Sequence, residues 1–147
     1  MSRRILLVLA AVTGLLVSCR EPSVREDFIA GDGPFIFRVD MTDTTRTYDF
    51  TFYTRLDGRP HLLESVVDMP LDIQWISPSR EVYKETVWLP LTDPHATFYS
   101  RQIRHLYRSG VVPSEPGVWA LAVFIPDSLS IPGLRGLGLV QCHNGSR

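Results

Sequence analysis

From Pro34 onward, apolar residues recur at every second position, and a period of two marks strands with one buried face. Phe35, Phe37, Val39 and Met41 alternate with Ile36, Arg38 and Asp40. After a turn over Thr42 to Thr47, Tyr48, Phe50 and Phe52 alternate with Asp49, Thr51 and Tyr53, a second strand ending near Arg55. Asp57-Gly58-Arg59-Pro60 is a turn signal opening a less regular stretch, His61 to Met69. Leu71, Ile73 and Trp75 share one face of a third strand, and Ser77-Pro78-Ser79 bends into a fourth, Glu81 to Leu89, which Pro90 ends. Val118 to Ile125 is almost wholly apolar, as a central strand is. After a long turn over Pro126 to Pro132, Leu134 to Cys142 reads as the last strand. The spacing predicts an all-β fold, a two-sheet antiparallel β-sandwich of jelly-roll or immunoglobulin-like type. A partly closed β-barrel is the alternative.

One stretch reads differently. Tyr99, Ile103, Leu106 and Tyr107 fall at helical spacing, with Arg101, Arg104 and Arg108 on the other side and Gly110 as a stop. The pattern predicts one short helix over Tyr99 to Ser109, whose arginine face would meet solvent, phosphate or an acidic partner.

The N-terminus carries an address. Arg3 and Arg4 precede Ile5 to Val17, thirteen uncharged residues rich in Leu, Val and Ala. As a helix that run would span about 20 Å at ~1.5 Å per residue, short of the roughly 30 Å hydrocarbon core of a bilayer. It reads as the apolar region of an export signal. Leu16-Val17-Ser18-Cys19 closes the run and resembles the lipobox of bacterial lipoproteins. The resemblance implies a diacylglycerol thioether on Cys19, cleavage by signal peptidase II between Ser18 and Cys19, and acylation of the new amine. Each buried methylene contributes about 0.8 kcal/mol and one chain anchors only marginally, so two or three chains on one residue hold stably. The expected organisation is a signal over residues 1–18, a tether over 19–33 and a β-sandwich over 34–147. Within the tether, Phe28-Ile29-Ala30 is a candidate for a short edge strand. No acidic run follows Cys19, which favours a periplasm-facing anchor.

Charge narrows the partners. Formal net charge is −1, or about −3 once Arg3 and Arg4 leave with the signal. Nucleic-acid binding calls for a clustered basic face and is not expected. Lys84 is the sole lysine, so positive charge is almost entirely guanidinium. With Cys19 lipidated, Cys142 is left without a disulfide partner and reads as a small buried hydrophobe.

Catalytic and metal signatures are weak. His61, His95, His105 and His143 are scattered, with no pair at ligand spacing. Cys142 and His143 are adjacent, and on a strand adjacent side chains point to opposite faces, so they do not make a thiol–imidazole dyad. Ser65 beside Glu64 and Ser114 beside Glu115 lack a nucleophile elbow. Asp40, Asp43 and Asp49 surround one turn and are candidates for calcium, against the commoner role of aspartate in capping turns. Trp75, Trp88 and Trp119, with Tyr53 and Tyr83, are candidates for a sugar-stacking platform, although Trp75 and Trp119 also fit a core pattern. No cofactor is expected.

The strand and turn residues Val39-Asp40, Asp43, Tyr48-Asp49-Phe50, Arg55, Pro78 and Gly117-Val118-Trp119 together resemble the gliding-motility lipoprotein GldH family over most of Pro34 to Val140. His61 to Met69 departs from that family, whose middle region is richer in Asn and Tyr. The resemblance implies an outer-membrane lipoprotein tied to gliding and to type IX secretion. It supplies no catalytic residue. The leading expectation is therefore a non-enzymatic, lipid-anchored accessory or assembly protein that binds envelope proteins. The rival is a carbohydrate- or ligand-binding module, with a hydrolase third.

Overall fold

The computed structural model describes residues 24–92, 96–126 and 130–144. The signal, Ser18, Cys19 and His95 lie outside the described residues. Among the described residues eight strands form: β1 (Val24–Ala30), β2 (Phe35–Asp40), β3 (Thr47–Asp57), β4 (Asp68–Ile76), β5 (Val82–Pro90), β6 (Ser100–Val111), β7 (Val118–Phe124) and β8 (Leu134–Asn144). One short helix, α1 (Pro60–Glu64), follows β3 and has a proline in its first turn.

The strands pair into two four-stranded antiparallel sheets, ordered β1-β8-β3-β6 and β2-β7-β4-β5. Eight strands in that interleaved order are a jelly roll, two sheets wound from one long double hairpin. The alternation of the sequence does the sorting. Phe35, Phe37 and Val39 of β2 and Phe50 and Phe52 of β3 point inward and are buried, while Ile36 is exposed on the outer face. Leu71, Ile73, Leu121, Val123, Leu137 and Leu139 complete the layer between the sheets. Each such side chain contributes roughly 1.5–3 kcal/mol on burial. Three buried polar side chains among the described residues are each satisfied: Thr54 Oγ1 donates to Gly136 O at 2.6 Å, Ser77 Oγ accepts from Glu81 N at 3.0 Å, and Gln141 Nε2 donates to Asp40 O at 2.7 Å, joining β8 to the end of β2.

Three expectations need correction. Residues 100–111 are not a helix but the edge strand β6, paired with β3 from Asp57↔Ser100 to Tyr48↔Val111. Ile103, His105 and Tyr107 are the more buried side of the strand, and the exposed apolar Leu106 on the other side is what made the run look helical. The stretch given to the tether contains β1, whose seven residues pair with β8 from Val24↔Cys142 to Ala30↔Gly136, extending the anticipated edge strand at Phe28 to Ala30. Cys142 is half-buried rather than in the core.

Candidate functional site

A cleft of about 310 Å³ opens on one flank of the sandwich, where the edge strands β5 and β6 leave the two sheets apart. Trp75, Tyr83, Trp119 and Met41 line it with Val111, Val112 and Pro113, and Glu85 and Arg108 supply its charge.

The residues arrive there for different reasons. Trp75 and Trp119 are inward positions of β4 and β7; Trp119 is only 6% exposed, so the two indoles belong to the core and present an edge to the cleft. Their rings meet edge to face at 6.4 Å. Tyr83 comes from β5 and stacks on Trp119 at 6.2 Å, half exposed at the rim. Tyr107 and Arg108 arrive through a β-bulge. Thr51 pairs with Leu106 and Phe50 with Arg108, which makes Tyr107 one residue too many for its partner strand. A bulge re-aims the side chains around it. Here it lets two consecutive residues both reach Glu85.

Those contacts form a chain of hydrogen bonds from one sheet to the other. Trp75 Nε1 donates to the Tyr107 hydroxyl at 2.9 Å. That hydroxyl donates to Glu85 Oε1, and Arg108 Nη2 bonds Glu85 Oε2 in a salt bridge. Burial, helped by the Glu85 carboxylate, pushes the Tyr107 phenol up to about 12, so it remains a protonated donor throughout the physiological range. The Arg108 guanidinium lies 5.5 Å above the Tyr107 ring. The site is thus an aromatic trough with a net-neutral carboxylate–guanidinium pair at one side. It can stack a flat apolar face while offering both an acceptor and donors.

The other aromatic candidates are elsewhere. Trp88 stands 60% exposed on the outer face of β5, opposite Pro70, and does not reach the cleft. Tyr53 lies on the outer face of the other sheet, stacked on Phe28 at 5.6 Å beneath Arg104. Sequence alone did not point to Tyr107 or Glu85 for this site.

The three aspartates are not brought together as a metal site. Asp40 Oδ1 accepts from Thr42 N and Oγ1 at 3.0 and 2.6 Å, and Asp43 Oδ1 accepts from Thr45 N and Oγ1 at the same distances. Asp49 accepts from Gly110 N at 2.7 Å, Ser109 Oγ at 2.9 Å and Asn144 Nδ2 at 2.8 Å. Among the described residues no group of three His, Cys, Asp or Glu side chains is placed to hold a metal. His61 sits in α1 and His105 in β6, while Arg46 Nη1 approaches His143 Nδ1 at 2.5 Å. Arg101 turns back to the carbonyls of Val66 and Leu91, Arg104 lies over Tyr53, and of the three only Arg108 enters the cleft.

No protein-family model matches the chain, and no curated protein matches it. Among solved structures, it is similar to a Yersinia pseudotuberculosis-derived mitogen at 8% identity, over 86% of this chain and 91% of that one, with a TM-score of 0.33. An arabinose-bound α-L-arabinofuranosidase aligns at 12% identity over 82% of this chain and 18% of its own, with a TM-score of 0.33. A chain of infectious bursal disease virus, Gx strain, aligns at 9% identity over 84% of this chain and 32% of its own, with a TM-score of 0.39. Scores this low carry no argument about the activity of this chain.

Proposed function

We propose that this chain is a non-enzymatic, lipid-anchored protein of the outer membrane, facing the periplasm, whose jelly roll acts by binding a carbohydrate in the β5–β6 cleft. The observation that carries the binding reading is the meeting of Tyr83, Trp119 and Trp75 with the Glu85–Arg108 pair in one concavity. Small-ligand sites are concave, mostly apolar and furnished with a few convergent polar groups. Sugars fit that description from both sides. Their C–H faces stack on aromatic rings, and their hydroxyls accept from a guanidinium and donate to a carboxylate. Among the described residues Glu85 is the one carboxylate lining this cleft, and two donors already occupy it. Glycoside hydrolysis ordinarily uses two flanking carboxylates, so the arrangement favours holding a sugar over cleaving it.

An anchor on Cys19 would also orient the site. Val24, the first residue of β1, is five residues beyond Cys19, a reach of at most about 18 Å at ~3.6 Å per residue. Val24 pairs with Cys142, Cys142 with Asp49, and Asp49 bonds Gly110, two residues from Arg108. With Cys19 lipidated, as this reading has it, the cleft would stand at the end of the sandwich nearer the membrane.

Two measurements test this. Intact mass of the membrane-extracted protein should show a chain starting at a lipidated Cys19, and Cys19→Ser should give an unlipidated chain that keeps residues 1–18. Tryptophan emission should respond to members of a neutral glycan panel, and Tyr83→Ala and Glu85→Gln should abolish the response while Trp88→Ala keeps it. A silent panel, or loss of response with Trp88→Ala alone, would overturn the cleft assignment.

A specific observation also favours the assembly role that the GldH resemblance implies. Phe98 is 68% exposed and packs edge to face on the exposed Tyr99 at 4.7 Å. Exposed apolar clusters of that kind mark protein contacts. Crosslinking in native membranes, lost on Phe98→Ser, would support an envelope protein partner there.

A further inference from the structure

At the end of the sandwich away from the cleft, the last residues of β3 build a clamp of arginines around one carboxylate. Asp57 Oδ1 accepts from Arg55 Nε at 2.8 Å, and Asp57 Oδ2 accepts from Arg135 Nε at 3.0 Å. Each guanidinium is thus held by its Nε, and both arginine side chains stay more than half exposed. Arg59 enters the same depression, which has a volume of about 360 Å³ and is also lined by Tyr99 and Ser100. Three guanidiniums against one carboxylate leave the depression with a surplus of two positive charges.

The frame behind the clamp is rigid. Asp57 N donates to Gly133 O and Gly58 N to Tyr99 O, both at 2.9 Å, tying three chain segments at this point. Gly133 has φ +76°, and a Cβ there would stand 2.1 Å from the Asp57 carbonyl oxygen, so the approach requires glycine. The Arg55 hydrogen bond is the largest influence on the Asp57 carboxyl; burial opposes it, Arg135 adds to it, and together they hold the carboxyl below the usual carboxylate range. It stays ionised and keeps both arginines in place.

We infer that the Arg55–Asp57–Arg135 clamp, with Arg59, is a binding site for a tetrahedral oxyanion, the phosphate or sulfate group of a soluble or surface-bound ester. A guanidinium edge presents two parallel N–H donors that match two oxygens of such a group, which a lysine cannot do. The two-charge surplus matches a dianion. The site is independent of the cleft, since it lies at the opposite end of β3.

Calorimetric titration of the full-length protein in detergent, first with inorganic phosphate and then with inorganic sulfate at low ionic strength, tests the site and tells phosphate from sulfate; co-sedimentation with vesicles bearing a phosphomonoester lipid, against plain phosphatidylcholine vesicles, tells a surface-bound ester from a soluble one. Arg135→Gln and Arg59→Gln should each weaken binding about tenfold, the order expected for a charge-assisted hydrogen bond. Asp57→Asn is the decisive variant. It adds net positive charge, so a merely electrostatic patch would bind more tightly, whereas a clamp that has lost its organiser binds several-fold more weakly. Arg59→Gln changes an exposed side chain and decides the question even where Asp57→Asn does not fold. Tighter or unchanged binding by Asp57→Asn, no effect of either arginine variant, or no anion binding by the unaltered protein overturns the proposal.

Discussion

The indole N–H of Trp75 on β4 and the hydroxyl of Tyr107 on β6 are joined at 2.9 Å, a bond between the two sheets at the mouth of the cleft. Tyr107→Phe removes the acceptor of Trp75 and one of the two donors to Glu85 while keeping the ring that packs on Phe52 at 4.9 Å. Leaving part-buried polar groups unpaired costs about 1–3 kcal/mol. The expected result is a melting temperature lower by several degrees, with Trp75 emission shifted to the red, checked by thermal denaturation followed by fluorescence.

The same hydroxyl predicts a limit to alkaline stability. Its pKa is about 12 in the folded protein against an ordinary 10, mainly because burial disfavours the phenolate. A raised folded-state pKa means that the native state holds the proton more tightly than the unfolded chain. The stabilisation is therefore complete below pH 10 and is lost as pH rises from 10 to 12. Denaturation midpoints measured across that window should fall, and Tyr107→Phe should flatten the fall. A spectrophotometric phenol titration should show one late-titrating tyrosine fewer in the variant than in the unaltered protein, in which Tyr48, Tyr53 and Tyr83 are also raised.

How far these features could be read in advance differs by element. The core strands announced themselves because Phe35-Phe37-Val39 and Tyr48-Phe50-Phe52 must alternate to bury one face, and alternation survives without knowledge of partners. β6 was illegible for the opposite reason. Burial alternates along Gln102–Arg108, but an outward position holds the apolar Leu106 and an inward one the polar His105, so Ile103, Leu106 and Tyr107 imitate the spacing of a helix. The cleft inherits the same difficulty. Trp75, Tyr83 and Trp119 were visible as aromatics, but which of the five candidates would converge depended on strand order. Glu85 and Tyr107 became relevant only once β5 and β6 were seen to flank one opening.

Gly138 on β8 and Tyr53 on β3 are cross-strand partners on the outer face of the first sheet. A Cβ on Gly138 would lie 2.1 Å from the Tyr53 ring, which covers the glycine and stacks on Phe28. Gly138→Ala should destabilise by about 1–3 kcal/mol, the usual cost of overpacking. In a Tyr53→Ala background the same change should cost far less, because the colliding ring is gone. A double-mutant cycle in urea reads this directly, and additive costs would show that the ring was not the obstacle.

Calcium offers a final test of what the aspartates do. Asp40 and Asp43 each spend an oxygen on the threonine two residues ahead, and Asp49 fixes Ser109, Gly110 and Asn144 where β6 ends. Hydrogen bonds from Thr42, Thr45 and Gly110 respectively hold the three carboxyls below their ordinary 3.8. Depressed folded-state values stabilise the fold above the unfolded pKa and lose that stabilisation as pH falls through and below about 4. Acid should therefore weaken the fold in that window, and Asp49→Ala, by freeing the Gly110 turn beside Arg108, should lower the melting temperature at neutral pH and blunt part of the acid response. Millimolar calcium should leave the melting temperature unchanged in both proteins, since a metal would have to displace bonds that the turns already make. A calcium-dependent rise that Asp49→Ala removes would reverse this assignment and return the three carboxylates to metal binding.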